Sequence, residues 1–227
     1  MKVVKTVTKN RILIVDDHPM MRQSLAQLID HEKDMVTLGE AATASQALNF
    51  IVARKPDLVI VDISLPDKNG LELIKDILVF QPDLPVLVFS MHDESIYAER
   101  VLRAGGRGYI MKQEGGKKLM QAIRQVLGGQ IYVSEKVSSK ILEIFSGNRA
   151  DATGSPVGLL SDREFEVFQM IGEGKGTREI AAALHLSVKT VEVHRSNMKR
   201  KLALKNGIEL VRYAIRWSEA RGQPPTR

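Results

Sequence analysis

A chain of 227 residues holds one large domain or two ordinary ones. Its 44% apolar and 26% charged residues suit a soluble globular protein, and no run approaches the roughly 18 uncharged apolar residues a membrane span needs. The absence of cysteine excludes disulfide frameworks and thiolate metal sites, while the net charge of +6 is uneven: Lys+Arg against Asp+Glu runs 17 to 16 over 1–130, 3 to 3 over 131–158 and 13 to 8 over 159–227.

The opening "MKVVKTVTKNR" is basic but lacks the apolar stretch of a signal peptide, so the expected compartment is the cytoplasm. Next come short apolar runs rich in branched residues: "ILIV" (12–15), a weaker "MVTLGEA" (35–41), "LVIV" (58–61), "VLVF" (86–89) and "GYIM" (108–111). None alternates strictly, the pattern of parallel strands buried on both faces. Helical patterns near 19–31, 43–54, 69–81, 93–104 and 115–128 lie between and after them, one opening with the capping-box spacing Thr43-Ala-Ser-Gln46. Such alternation predicts a doubly wound α/β sheet with right-handed crossovers.

Each main run leads into a polar group. Asp16 and Asp17 follow the first, Asp62 the third, Ser90 the fourth and Lys112 the last. An open parallel sheet brings these strand ends to one edge, where ligands bind. Three carboxylates crowded there repel one another unless a cation intervenes. Oxygen ligands in so small a number favour Mg²⁺ over Ca²⁺. Lys112 supplies a point charge suited to a phosphoryl oxygen and Ser90 a neutral donor. A carboxylate in such company can attack a phosphoryl group and become an aspartyl phosphate. For any one Asp after a strand, a helix cap or turn is the simpler role; five suitable residues at four strand ends carry the argument.

Residues 10–130 resemble the receiver domain of bacterial two-component response regulators through "ILIVDDHP", "KPDLVIVDISLPDKNG", "VLVFSMHDE" and "RAGGRGYIMK". The resemblance implies a five-stranded flavodoxin-like sheet with Asp62 as phosphoacceptor. Asp17 would bind Mg²⁺ directly, Asp16 directly or through water, and the Ser64 carbonyl would complete the protein ligands. Ser90 stands at the family's switch hydroxyl, Lys112 at its lysine, and Tyr109 at the aromatic whose rotation reports phosphorylation; by sequence alone Tyr109 is a core residue. Drawing Ser90 inward would make room for Tyr109 and shift the surface from about 90 to 120. Inverting such a two-state population from 1:99 to 99:1 takes about 5.5 kcal/mol, within reach of a few charge-assisted bonds of about 1.5–3 kcal/mol each.

Residues 134–146 read as a short amphipathic helix, and "FSGNRADATGSPVG" (145–158) as a linker. The expected division is a receiver at 1–130, a linker with a short helix at 131–158, a second domain at 159–220 and a frayed tail at 221–227.

The second domain reads as four helices. Ser161-Asp-Arg-Glu164 is a capping box opening the first, to about Gly172; "TREIAAALH" (177–185) is the second. Leu186 and Ser187 form a tight turn, Ser187 capping a third helix to about Ala203, and a fourth covers roughly 208–219. This is a helix-turn-helix arrangement. Val188, Val191, Met198 and Leu202 form the third helix's core stripe. Lys189, Glu192, Val193, Ser196 and Arg200 share the opposite face, flanked by Arg195 and Lys199. With the regional charge, that face points to double-stranded DNA.

"LSDREFEVFQMIGEGKGTREIAAALHLSVKTVEVHRSNMKRKL" resembles the LuxR/NarL-type output domain. The family implies a third helix in the major groove, with base contacts from Glu192, Val193 and Ser196 and phosphate contacts from Thr177, Lys189, Thr190, His194, Arg195 and Lys199; His194 is equally readable as a packing residue. Gly176-Thr177 replaces the usual Ser-Asn, with Thr177 expected to cap instead. Glu192 replaces a commonly basic residue, and a carboxylate favours a cytosine amino group over phosphate.

The whole reads as a transcription factor controlled by phosphorylation, not an enzyme. Its implied partners are a sensor histidine kinase, double-stranded DNA, RNA polymerase and a second copy of itself on paired half-sites. A phosphatase with an Asp-x-Asp pair is the alternative, but Ser64 stands where its acid would be. A receiver acting without phosphorylation is the third, opposed by the complete acidic set.

Overall fold

The computed structural model of this protein describes residues 9–145 and 156–220. The expectations for the N-terminal residues 1–8, linker residues 146–155 and the tail 221–227 lie outside them. The chain divides into two compact units, Met1–Phe145 and Ser146–Arg227.

The first unit alternates strictly: β1 (Asn10–Val15), α1 (Pro19–His31), β2 (Met35–Ala41), α2 (Ala44–Arg54), β3 (Leu58–Val61), α3 (Gly70–Phe80), β4 (Val86–Ser90), α4 (Glu94–Arg103), β5 (Gly108–Met111) and α5 (Gly116–Leu127). The five strands form one parallel sheet in the order β2-β1-β3-β4-β5, with a register shift against β2 between Ile12 and Leu13. Every residue of β3 and β4 is buried, which is why β3 is an unbroken apolar run and β4 is one up to its last residue, Ser90. Ile12, Ile14, Ile60, Leu87, Phe89 and Ile110 pack one face against Leu25 and Ile29 of α1 and Leu119 and Ile123 of α5.

Caps set the helix starts. Thr43 Oγ accepts from the Gln46 N–H, but Gln46 Oε1 accepts from Ala42 N–H rather than from Thr43, so the expected box closes one residue early. Asn69 and Asp93 cap α3 and α4 through their side chains.

The segment read from the sequence as the start of the linker is built into this unit. Tyr132 bridges Gly108 beside β5, exchanging backbone hydrogen bonds with Arg107 and Tyr109. Beyond it, α6 (Glu135–Phe145) contacts α4, with Val137 buried. Ser134 Oγ accepts from Val137 N–H and donates to Glu94 Oε1 at 2.7 Å. Val137 on the apolar stripe of α6 needs a covering surface, and α4 is the helix packed against it.

The second unit opens with a 3₁₀ turn at Pro156–Leu159 that buries Val157, so packing begins inside the stretch read as linker. Then come α7 (Asp162–Gly172), α8 (Thr177–Ala183), α9 (Val188–Lys201) and α10 (Gly207–Glu219). Phe165, Phe168, Ile171, Ile180, Val191, Met198, Leu210 and Ala214 are its core. Trp217 meets Phe165 and Phe168 edge-on, with ring centroids 5.5 and 5.6 Å away. Gly172 lets α7 and α10 close up: a Cβ there would stand 2.8 Å from the Ala214 carbonyl oxygen.

Two sequence expectations are corrected here. Val188, assigned to the core stripe, is 46% exposed. As the first residue of α9 its side chain leans back past the helix end, away from the stripe its spacing suggests. Thr177 does not cap α8; Gly176 occupies that position, and Glu179 Oε2 accepts from its N–H at 2.7 Å.

Candidate phosphoacceptor site and DNA-reading helix

The register carries Val15, Val61 and Val88 level across three neighbouring strands, and Ser90 opposite Met111. Asp16, Asp62, Ser90 and Lys112 therefore emerge together at the carboxyl edge. The acids flank β1 and β3, where the strand order reverses and the helices diverge to opposite faces.

Asp16 and Asp62 are buried, with 2% and 4% of their surface exposed, and Asp17 is half-buried. The Lys112 ammonium lies 2.6 Å from an oxygen of each buried acid. Burial works against its charge, but Asp62 first and Asp16 with it outweigh that cost and raise its pKa above the usual lysine value. Asp16 Oδ1 accepts from the His18 N–H at 2.8 Å, and the His18 ring approaches Asp17 Oδ1 to 2.6 Å. Asp16 Oδ2 and Asp17 Oδ1 are buried without a well-directed hydrogen bond, although the Lys112 ammonium and the His18 ring stand close to them. One candidate ligand atom from each of Asp16, Asp17, His18 and Asp62 lies within 4.8 Å of the others.

Ser90 and Tyr109 are both about 1% exposed, so the ring and the hydroxyl are accommodated together. Burial raises the Tyr109 phenol far above its usual pKa, keeping it a donor, and it donates to the His92 carbonyl oxygen at 2.8 Å. The His92 Nε2 stands 2.9 Å from Ser64 Oγ, joining the loops after β3 and β4 over the acidic edge. Sequence reasoning passed over His18 and His92 although both lie inside the motifs quoted. The signal available was their spacing, each two residues beyond a strand-end polar group, Asp16 and Ser90. Arg22 was missed as well; it donates to the Asp16 carbonyl oxygen at 2.7 Å.

In the second unit, Ser187 caps α9 by accepting from Thr190 N–H, and its hydroxyl also meets that of Thr190 at 2.7 Å. His185 takes a left-handed backbone (φ 52°) that ends α8 two residues sooner than the sequence pattern suggests. Lys189, Glu192, Val193, Ser196 and Arg200 are exposed, and Thr190, His194, Arg195 and Lys199 half-buried. Thr177 Oγ1 donates to Glu192 Oε1 at 3.0 Å. Lys201 turns inward, its ammonium 2.6 Å from Glu164 Oε2.

Residues 12–124 match the response regulator receiver domain, and residues 158–214 match the luxR family of bacterial regulatory proteins. The oxygen regulatory protein NreC of Staphylococcus carnosus is 35% identical over 210 residues, spanning 91% of this chain and 97% of that protein. The structure of RcsB from Salmonella enterica serovar Typhimurium, bound to the rprA promoter with the phosphomimetic BeF₃⁻, is 27% identical and superimposes with a TM-score of 0.62 over 92% of this chain and 99% of its own. A LuxR-family response regulator from Aurantimonas sp. SI85-9A1, 32% identical, gives 0.57 over 61% of this chain and 99% of its own. Receiver, helix-turn-helix unit and full-length relatives agree: the chain belongs to the two-component response regulators of the LuxR class, transcription regulators that join a receiver to a DNA-binding output domain.

Proposed function

We propose that Asp62 is the residue that takes the phosphoryl group from a sensor histidine kinase, and that its modification alters DNA binding by α9. The observation that carries this is the Lys112 ammonium between Asp16 and Asp62 at the switch point of the sheet. Asp62 stands at the end of β3 with its Oδ1 facing the Ser64 N–H at 3.4 Å and its Oδ2 the Lys112 ammonium at 2.6 Å. In the transfer one Asp62 oxygen forms the new P–O bond as the donor's P–N bond breaks, and the added oxygens meet Lys112 as a charge-assisted partner.

The donor set fits Mg²⁺. Asp16 Oδ2 and Asp17 Oδ1 are buried oxygens lacking directed donors, and with Asp62 and the Ser64 carbonyl they make a small oxygen set of the kind this ion takes. Mg²⁺ bound there supplies neutralising charge for the transferring oxygens. Ser90 and Tyr109 then form the switch: a phosphoryl oxygen that engages Ser90 changes the packing beside Tyr109, whose hydroxyl holds His92 and, through it, the start of α4.

For the output unit, α9 lies in the major groove with Lys189, Arg195, Lys199 and Arg200 towards the phosphates, His194 and Thr190 beside them, and Glu192, Val193 and Ser196 towards base edges. Two copies on paired half-sites supply the affinity one short helix lacks, and RNA polymerase is the expected downstream contact.

Intact mass after treatment with a small phosphodonor and Mg²⁺ tests the acceptor. The wild-type chain gains one phosphoryl group and Asp62→Asn gains none. An undiminished gain in the variant moves the acceptor elsewhere.

A further inference from the structure

We propose that Thr177 and Glu192 act as a pair in base selection: Glu192 accepts from an exocyclic amino group in the major groove, cytosine N4 foremost, and Thr177 is the positioning residue that holds it there. The inference rests on the reading of α9 as the DNA-reading helix and deepens it. It also replaces the phosphate contact assigned to Thr177 from the sequence.

Thr177 begins α8 and Glu192 lies a turn into α9, and the Thr177 hydroxyl spans the two helices by donating to Glu192 Oε1 at 3.0 Å. Glu192 is exposed on the outer face of α9, one turn after Lys189 and one turn before Ser196. A carboxylate only accepts, and it is repelled by phosphate, by guanine O6 and N7 and by thymine O4. The major-groove donors are the amino groups of cytosine and adenine, and adenine sets its N7 acceptor beside its amino group. Cytosine is therefore the best partner.

The tether matters because a surface glutamate has several rotamers and loses that freedom on docking. A carboxylate already held by a hydroxyl on the neighbouring helix loses less, and it retains acceptor capacity for the base. The hydroxyl of Thr177, committed to Glu192, is correspondingly withdrawn from phosphate. Affinity does not depend on the pair: Lys189, Arg195, Lys199 and Arg200 lie on and beside the same face, so one carboxylate among them selects between sequences without abolishing attraction to the backbone.

Selection from randomised duplexes with the full-length chain tests the pair, comparing wild type with Thr177→Val, Thr177→Ser and Glu192→Gln. The wild type should prefer cytosine at one position of each half-site by about tenfold, and Thr177→Val should relax that one preference to about twofold while others stand. Thr177→Ser restores the hydroxyl and should restore the preference. Glu192→Gln should redirect the same position towards adenine, which a carboxamide reads bidentately. A uniform loss of affinity in Thr177→Val with preferences unchanged makes Thr177 a phosphate contact and overturns the proposal. So does a Thr177→Val profile matching the wild type, or a wild type indifferent to cytosine at every position. Failure of the wild-type chain to bind any duplex overturns the DNA-reading assignment of α9, a result distinct from selective binding in which the pair plays no part.

Discussion

Glu164 shows how one side chain can serve two structural purposes. It closes the capping box of α7 by accepting from Ser161 N–H at 2.8 Å, and it receives the Lys201 ammonium from the last turn of α9. Burial raises its pKa, but Lys201 and the Ser161 N–H outweigh burial and hold it below the ordinary 4.5. A carboxyl held lower in the folded chain than in the unfolded one adds stability above the unfolded value, and that contribution fades as pH falls through the folded value. Glu164→Gln keeps the cap and removes the charge. It should cost about 1–2 kcal/mol at pH 7, with the one-third-exposed Lys201 keeping the figure modest. The difference should shrink below pH 4.5, where the wild type loses its own advantage. Thermal melts followed by Trp217 fluorescence read this directly, since the chain has one tryptophan; a gap that stays constant down to pH 3 would contradict it. At this scale the strand-end residues were legible because a parallel sheet sends every strand to the same edge. His18 and His92 were overlooked, because loop paths carry no periodicity and only the offset from Asp16 and Ser90 marks them. Val188 misled because helical spacing does not show that the helix itself begins at that residue.

Among the elements, the helix ends carry the unusual backbone. Lys55, His185 and Ala203 adopt positive φ of 49°, 52° and 54° without being glycine. Ala203 follows α9, its N–H reaching the Arg200 carbonyl while that of Leu204 reaches Lys199. This is a Schellman closure, which glycine enters without steric cost. Ala203→Gly should therefore raise the stability of the second unit by about 0.5–1 kcal/mol, the relief of left-handed strain exceeding the added freedom of the unfolded chain. Urea titration read through Trp217 checks it, and a lower midpoint in the variant would count against the strain argument. Strands and helices were legible to within a residue or two because caps and apolar runs bound them. The α6 segment was legible as a helix but not as part of the first unit. An amphipathic stripe announces that a surface must cover it without naming that surface, and the partner, α4, lies more than thirty positions earlier in the chain.

Over the whole chain, charge divides the labour. The final third holds 13 Lys+Arg against 8 Asp+Glu, whereas residues 1–130 are nearly balanced at 17 to 16. If four basic residues per copy neutralise phosphates, affinity should fall roughly 100-fold per copy between 50 and 200 mM salt, at a slope of about −0.9 per contact. Lys199→Ala should flatten that slope by about one contact, an effect read from binding isotherms at several salt concentrations. An unchanged slope removes Lys199 from the phosphate set. The two-part organisation was legible because the Gly/Ser-rich stretch separates two different periodicities, strand-helix alternation before it and helices alone after it.

Gly70, at the start of α3, has no side chain and no reactive atom. Yet a single added carbon there would stand 2.3 Å from the Asp62 carbonyl oxygen and 2.8 Å from the Ile63 Cα. The backbone beneath Asp62 thus leaves no room for even one methyl group. In a saturation survey scored for signalling, position 70 should tolerate as little as position 62 itself, so intolerance there would mark a spatial veto rather than a chemical role.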